Sequence, residues 1–149
     1  MKKLLLLVSV LVLFFACSKD KYESTPQIKI KSVSSDIVPL GSGLLVTLSF
    51  TDKEGDVDDT VFVRKVRLNQ KFANTLFDTI KYKIPEFPAH SSGDISVYLD
   101  NNIIQSANPP PSNGSGGNMP DTLKIWFAVT DKAGHKSDSI STGTIVVLR

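Results

Sequence analysis

The chain has 149 residues, enough for one domain with its own core, and its single Cys rules out a disulfide framework or a Cys-rich zinc site. It carries 17 Lys and Arg against 15 Asp and Glu, and Lys2 and Lys3 account for the surplus. With residues 1–16 set aside the charge balances, which removes the electrostatic case for a nucleic-acid partner.

Residues 1–17 read MKKLLLLVSVLVLFFAC. Two lysines precede an apolar run at 4–15, which as a helix spans about 18 Å. That is short of the ~30 Å hydrocarbon core, so residues 1–16 are expected to be a secretory signal peptide and not a membrane span. The run ends in Phe14-Phe15-Ala16-Cys17. A small residue directly before Cys resembles the lipobox of bacterial lipoproteins. Ser18 is not the Asp that in proteobacterial lipoproteins retains the protein in the inner membrane, and Lys19-Asp20 resembles the short export signal of Bacteroidota surface lipoproteins. The resemblance implies cleavage before Cys17, a diacylglyceryl group on its sulfur, and palmitate or a similar chain on its amine. Two or three acyl chains suffice for a stable anchor. The membrane is thus one expected partner and the outer membrane the expected address, with the facing side left open.

Residues 17–26 are polar beyond Cys17 and end in Pro26, as a flexible tether does. Residues 27–149 alternate with period two. Ile28 and Ile30 alternate with lysines; Leu44, Val46, Leu48 and Phe50 share one face; 61–68 is β-branched and basic. Ile80, Tyr82 and Ile84 follow, then Ile95, Val97 and Leu99, then Leu123, Ile125, Phe127 and Val129, and 140–148 closes the chain. The pattern predicts an all-β domain of about seven strands with no helix beyond residue 26. Seven short antiparallel strands are the count of an immunoglobulin-like or fibronectin-III-like sandwich, with a small barrel as the alternative. The stretch 106–120, SANPPPSNGSGGNMP, reads as a surface loop.

Five acids crowd residues 52–59, and Asp52, Glu54, Asp56 and Asp58 fall at every second position. Like charges this close repel unless solvated or bridged by a cation. An EF-hand is excluded, because Val57 stands where that loop needs Gly and Val63 where it needs the closing Glu. In an up-and-down strand order, the loops after the second, fourth and sixth strands share one end. Asp131 then approaches the acidic loop. A solvated acidic turn is the first expectation, and a calcium site from Asp52, Glu54, Asp56, Asp58 and Asp131 is the competing one. His90 and His135 fall in loops at the same end.

The segments FTDKEGD (50–56) and VTDKAG (129–134) resemble parts of immunoglobulin-like lipoproteins of Bacteroidota. There the first is an acidic loop after the second strand and the second is the last hairpin turn. The resemblance implies the fold class and the address, and no activity. Asp, then Ser or Thr, then an aliphatic recurs at 59–61, 78–80, 121–123 and 138–140. The triplet resembles the O-glycosylation motif of exported Bacteroidota proteins, which implies modification of Thr60, Thr79, Thr122 and Ser139. Each triplet equally marks a strand start, where Asp ends a turn and Thr enters a strand.

Catalytic patterns are sparse. No Ser has Gly at both −2 and +2, and Gly-Ser-Gly-Gly at 114–117 has no Lys-Ser/Thr after it, so neither a nucleophile elbow nor a phosphate loop is present. The expected reading is a non-catalytic binding, adhesion or accessory module of the cell envelope, its partner an envelope protein or a glycan. The alternative is a small glycan-directed hydrolase or a carbohydrate-binding module. The module would need exposed aromatics; alternation turns Tyr98 and Trp126 outward and Tyr82 into the core.

Overall fold

The computed structural model describes residues 22–69, 79–105, 110, 112 and 114–149. The expected signal peptide at 1–16, Cys17, residues 18–21 of the expected tether, Asp78 of one candidate glycosylation triplet, and 106–109, 111 and 113 of the long loop lie outside the described residues. In chain order the elements are β1 (Gln27–Val33), β2 (Ile37–Val38), β3 (Leu44–Thr51), β4 (Thr60–Arg67), β5 (Thr79–Lys83), β6 (Ser92–Leu99), a helical turn α1 (Asn101–Gln105), β7 (Asp121–Thr130), β8 (Ile140–Ser141) and β9 (Ile145–Val147). They build two sheets, β1-β3-β6 and β2-β9-β7-β4-β5, with β8 also on β7. Among the described residues, no helix is long and apolar enough to cross a membrane.

Register explains why alternation becomes a core. In the first sheet Leu44 faces Leu99, Val46 faces Val97 and Leu48 faces Ile95, all turned inward. In the second, Val61 faces Val129 and Val63 faces Phe127. These pairs join one cluster shared by the two sheets. Each aliphatic side chain so buried contributes roughly 1.5–3 kcal/mol, which a chain without a disulfide framework needs.

Three expectations are corrected. The order is not up-and-down, because the chain passes between sheets after β1, β2, β3, β5 and β6. The loops after β3, β5 and β7 still keep a common end, joined by backbone hydrogen bonds from Asp52 to Ser91 and from Lys132 to Asp56. Among the described residues, nine strands replace about seven. Ile37–Val38 adds a two-residue strand parallel to β9, and 140–148 splits around Thr142. Thr142 is buried, and its Oγ1 accepts from the Ile125 amide (3.2 Å) while its own amide donates to Ile125 (2.9 Å), so a side chain replaces a rung of the ladder. Finally, α1 is a helix beyond residue 26. Asp100 caps it, its carboxylate accepting from the Ile103 amide at 2.8 Å, and Ile104 plugs the core.

Candidate metal centre

The acidic loop is bent by one glycine and fastened by its neighbours. Gly55 has φ 73°, a conformation L side chains rarely adopt, and a Cβ there would lie 2.7 Å from the His90 backbone. The turn is closed by Asp52, whose Oδ2 accepts from the amides of Gly55 (2.7 Å) and Asp56 (3.3 Å). Backbone bonds then tie the loop outward: Asp52 donates to Ser91 (3.0 Å), His90 to Gly55 (3.0 Å) and Lys132 to Asp56 (3.2 Å). Val57 is wholly buried and anchors the far side. All three loops of this end are therefore fixed relative to one another.

Within this frame Asp52, Asp56 and Asp131 each bring a carboxylate oxygen within 4.8 Å of the others. Two ligands on one Ca²⁺, each about 2.4 Å from it, sit no farther apart than that. Asp52 is 0 % exposed and Asp131 2 %. Oδ1 of Asp52, enclosed in the protein, has no hydrogen-bond donor, and neither has Oδ1 of Asp56. Burial, then the charges of Asp131 and Asp52, push the Asp56 carboxyl above the usual range. Buried carboxylates without a countercharge are costly, so a cation at their common centre removes both the repulsion and the orphaned oxygens.

Asp131 is held from its own turn. Its Oδ1 accepts from the His135 amide (2.7 Å) and its Oδ2 lies 2.8 Å from His135 Nδ1. Each oxygen keeps a lone pair for a metal. The convergent donors are all oxygens, the chemistry of a hard cation such as Ca²⁺.

The other two acids expected at the site point elsewhere. Glu54 is exposed and accepts from the Ser24 hydroxyl at 3.1 Å, because the positive-φ turn at Gly55 breaks the extended spacing that would have aligned it. Asp58 is buried but pairs through Oδ2 with Lys132 Nζ at 3.0 Å. His90 is exposed and joins the site only through its backbone. Among the glycosylation candidates, Thr79 and Ser139 are exposed and Thr60 and Thr122 partly so; all four belong to or flank the second sheet. Tyr98 is 59 % exposed on the first sheet, Trp126 lies half-buried on the second, and Tyr82 packs against the core.

A further buried carboxylate, at the opposite end, was missed. Asp121 is 0 % exposed and sits between the guanidinium groups of Arg67 and Arg149; Arg149 Nε donates to its Oδ2 at 2.6 Å. Nearby, buried Lys65 donates to the Ile103 carbonyl. The signal was parity: Lys65 and Arg67 continue the inward series of Val61 and Val63, and Asp121 that of Leu123.

No family model and no curated protein matches the sequence. Among solved structures, the chain is similar to the sporulation control protein Spo0M from Bacillus subtilis, with a TM-score of 0.46 and 9 % identity over 84 % of this chain and 50 % of that one. It is also similar to a mutant β-glucosidase from Listeria innocua in complex with laminaribiose, with a TM-score of 0.43 and 12 % identity over 83 % of this chain and 16 % of that one. The chain thus spans half or less of each structure it resembles, and at these scores neither likeness assigns a fold family or an activity.

Proposed function

We propose that the protein is a lipid-anchored, non-catalytic module of the bacterial cell envelope. In this reading its immunoglobulin-like sandwich has its loop end closed by Ca²⁺. The observation that carries the calcium part is the convergence of Asp52, Asp56 and Asp131, with the Oδ1 of fully buried Asp52 left without a donor. The anchor rests on the sequence around Cys17. The same acids argue against a glycan hydrolase, since a carboxylate as deeply buried as Asp52 does not reach a sugar in a cleft.

The start of the described chain links anchor and site. The Glu23 carbonyl accepts from the Lys53 amide at 2.9 Å, and Ser24 bonds Glu54, so β1 is entered at the acidic end. Five Cα-to-Cα steps separate Cys17 from Tyr22, at most about 17 Å of extended chain. An acylated Cys17 therefore turns the acidic end toward the membrane. There the calcium-braced loops serve as the rigid base from which the module engages an envelope protein or glycan.

Two measurements test the reading. Full-length protein is expected to incorporate labelled palmitate and to enter the detergent phase, and Cys17→Ala to lose both. A variant processed and labelled like the wild type removes the anchor. Calorimetric titration is expected to find one Ca²⁺ per chain, and heat-free titration removes the metal while leaving the anchor standing.

A further inference from the structure

The outer face of the second sheet has a chemistry unlike the rest of the molecule. The parity that buries Val61, Val63, Ile125 and Phe127 turns Phe62, Arg64, Lys124 and Trp126 outward. Register then sets Lys81 beside Phe62 and Arg64 beside Trp126. The Arg64 guanidinium lies 5.9 Å and Lys124 Nζ 5.6 Å from the Trp126 ring centre. Lys81 Nζ lies 5.5 Å and Lys136 Nζ 4.2 Å from that of Phe62. Several cations elsewhere find carboxylates: Lys31 pairs with Asp94, Lys132 with Asp58 and Arg149 with Asp121. Among the described residues, none of these four does. A shallow cleft of about 330 Å³ crosses the face past both aromatic rings, and Thr79 and Ser139 line it as well.

We propose that this face binds an anionic glycan, a polysaccharide bearing carboxylates of the uronate type. Four cations without acids complement a periodic anion. The rings offer apolar faces to sugar C–H groups, and the two hydroxyls match sugar hydroxyls. Exposed cation–π contacts are weaker than charge-assisted hydrogen bonds, so an arriving carboxylate draws the cations off the rings and bares them for stacking. A cleft of this volume sits at the small end of ligand sites.

Other polyanions fit less well. A peptide that joins a sheet adds at its edge, and β4 and β7 are interior strands with neighbours on both sides. A bilayer would favour apolar wedges, and none of the large exposed apolar side chains lines this cleft. The proposal needs neither the anchor nor the calcium site.

Trp126 is the single tryptophan of the chain, so wild-type emission reports this face directly. Oligogalacturonate is titrated into the full chain in neutral detergent with a chelator present, which keeps calcium-bridged binding at the acidic end out of the signal. The expected result is a saturable change in emission, with affinity at least about tenfold lower for a neutral glucan oligomer of equal length. Arg64→Gln and Lys136→Gln each lower affinity about tenfold, the scale of one charge-assisted hydrogen bond. Lys29→Gln, an exposed change on the first sheet, leaves it unchanged. An unresponsive Trp126 overturns the proposal. So does an equal response to neutral glucan, to poly-glutamate or to phosphatidylglycerol vesicles. These comparisons use wild-type protein and hold whether or not a variant folds.

Discussion

Buried carboxylates sit at both ends of β7, and the two ends neutralise them in opposite ways. At the start of the strand Asp121 is flanked by Arg67 and Arg149, whose side chains are almost as buried as its own. Roughly 30 Å away, just past the other end, Asp131 meets Asp52 and Asp56. The lysine there goes to the margin, Lys132 pairing with Asp58, and the His135 ring lies against Asp131. A buried charge persists when its countercharge comes with it. At the arginine end the sequence provides that countercharge; at the acidic end, on the proposed reading, it comes from the surrounding solution.

The contrast is broken most severely at the arginine end. Asp121→Ala leaves two buried guanidinium groups facing each other, and a loss of about 3–5 kcal/mol is expected in denaturant unfolding. Burial already pulls the Arg67 pKa down while Asp121 holds it up, so this carboxylate is what keeps the group compatible with its site. A loss within about 0.5 kcal/mol, the usual scatter of surface changes, would show that water reaches the arginines.

A smaller effect is expected at Gly55. Alanine there must adopt φ 73° and meet the His90 backbone at 2.7 Å, which costs about 2 kcal/mol and slackens the acidic loop. Calcium affinity should fall along with the thermal midpoint. Stability lost with affinity intact would separate the turn from the site.

The smallest expected change has the unusual sign. The raised pKa of Asp56 means that the folded state binds its proton more tightly than the unfolded chain does. Its stabilising contribution is therefore present at low pH and lost as pH rises from the ordinary carboxylate value through the raised one. Asp56→Asn should be more stable than wild type in chelator at neutral pH, by roughly 1 kcal/mol, with the gap closing as the medium is acidified. In calcium the order should reverse. A variant less stable in chelator would mean that the carboxylate is not repelled.

Much of the fold could be read from alternation, because strands with one buried face write their parity into the sequence. Leu44 to Phe50 and Leu123 to Val129 are such strands. Elements too short to show a period left no trace: Ile37–Val38 is held by pairing with β9, and α1 by its Asp100 cap. Polar residues on inward parity misled in their own way. Lys65, Arg67 and Asp121 look like surface charges until each is seen to have found a partner. At the acidic end, strand reversal sufficed to bring Asp131 to Asp52 and Asp56. Spacing alone could not reveal that Gly55 turns the backbone and sends Glu54 outward to Ser24.

The most direct test of the acidic end is thermal unfolding of one protein in chelator and in calcium. At free calcium of about 100 times Kd, binding to the native state alone adds about 2.7 kcal/mol, a rise of several degrees for a domain of this size. The rise should vanish in both Asp56→Asn and Asp131→Asn, since the site draws on two loops. Equal midpoints in calcium and chelator for the wild type would contradict the account and leave three convergent acids, two of them buried, with no cation to share.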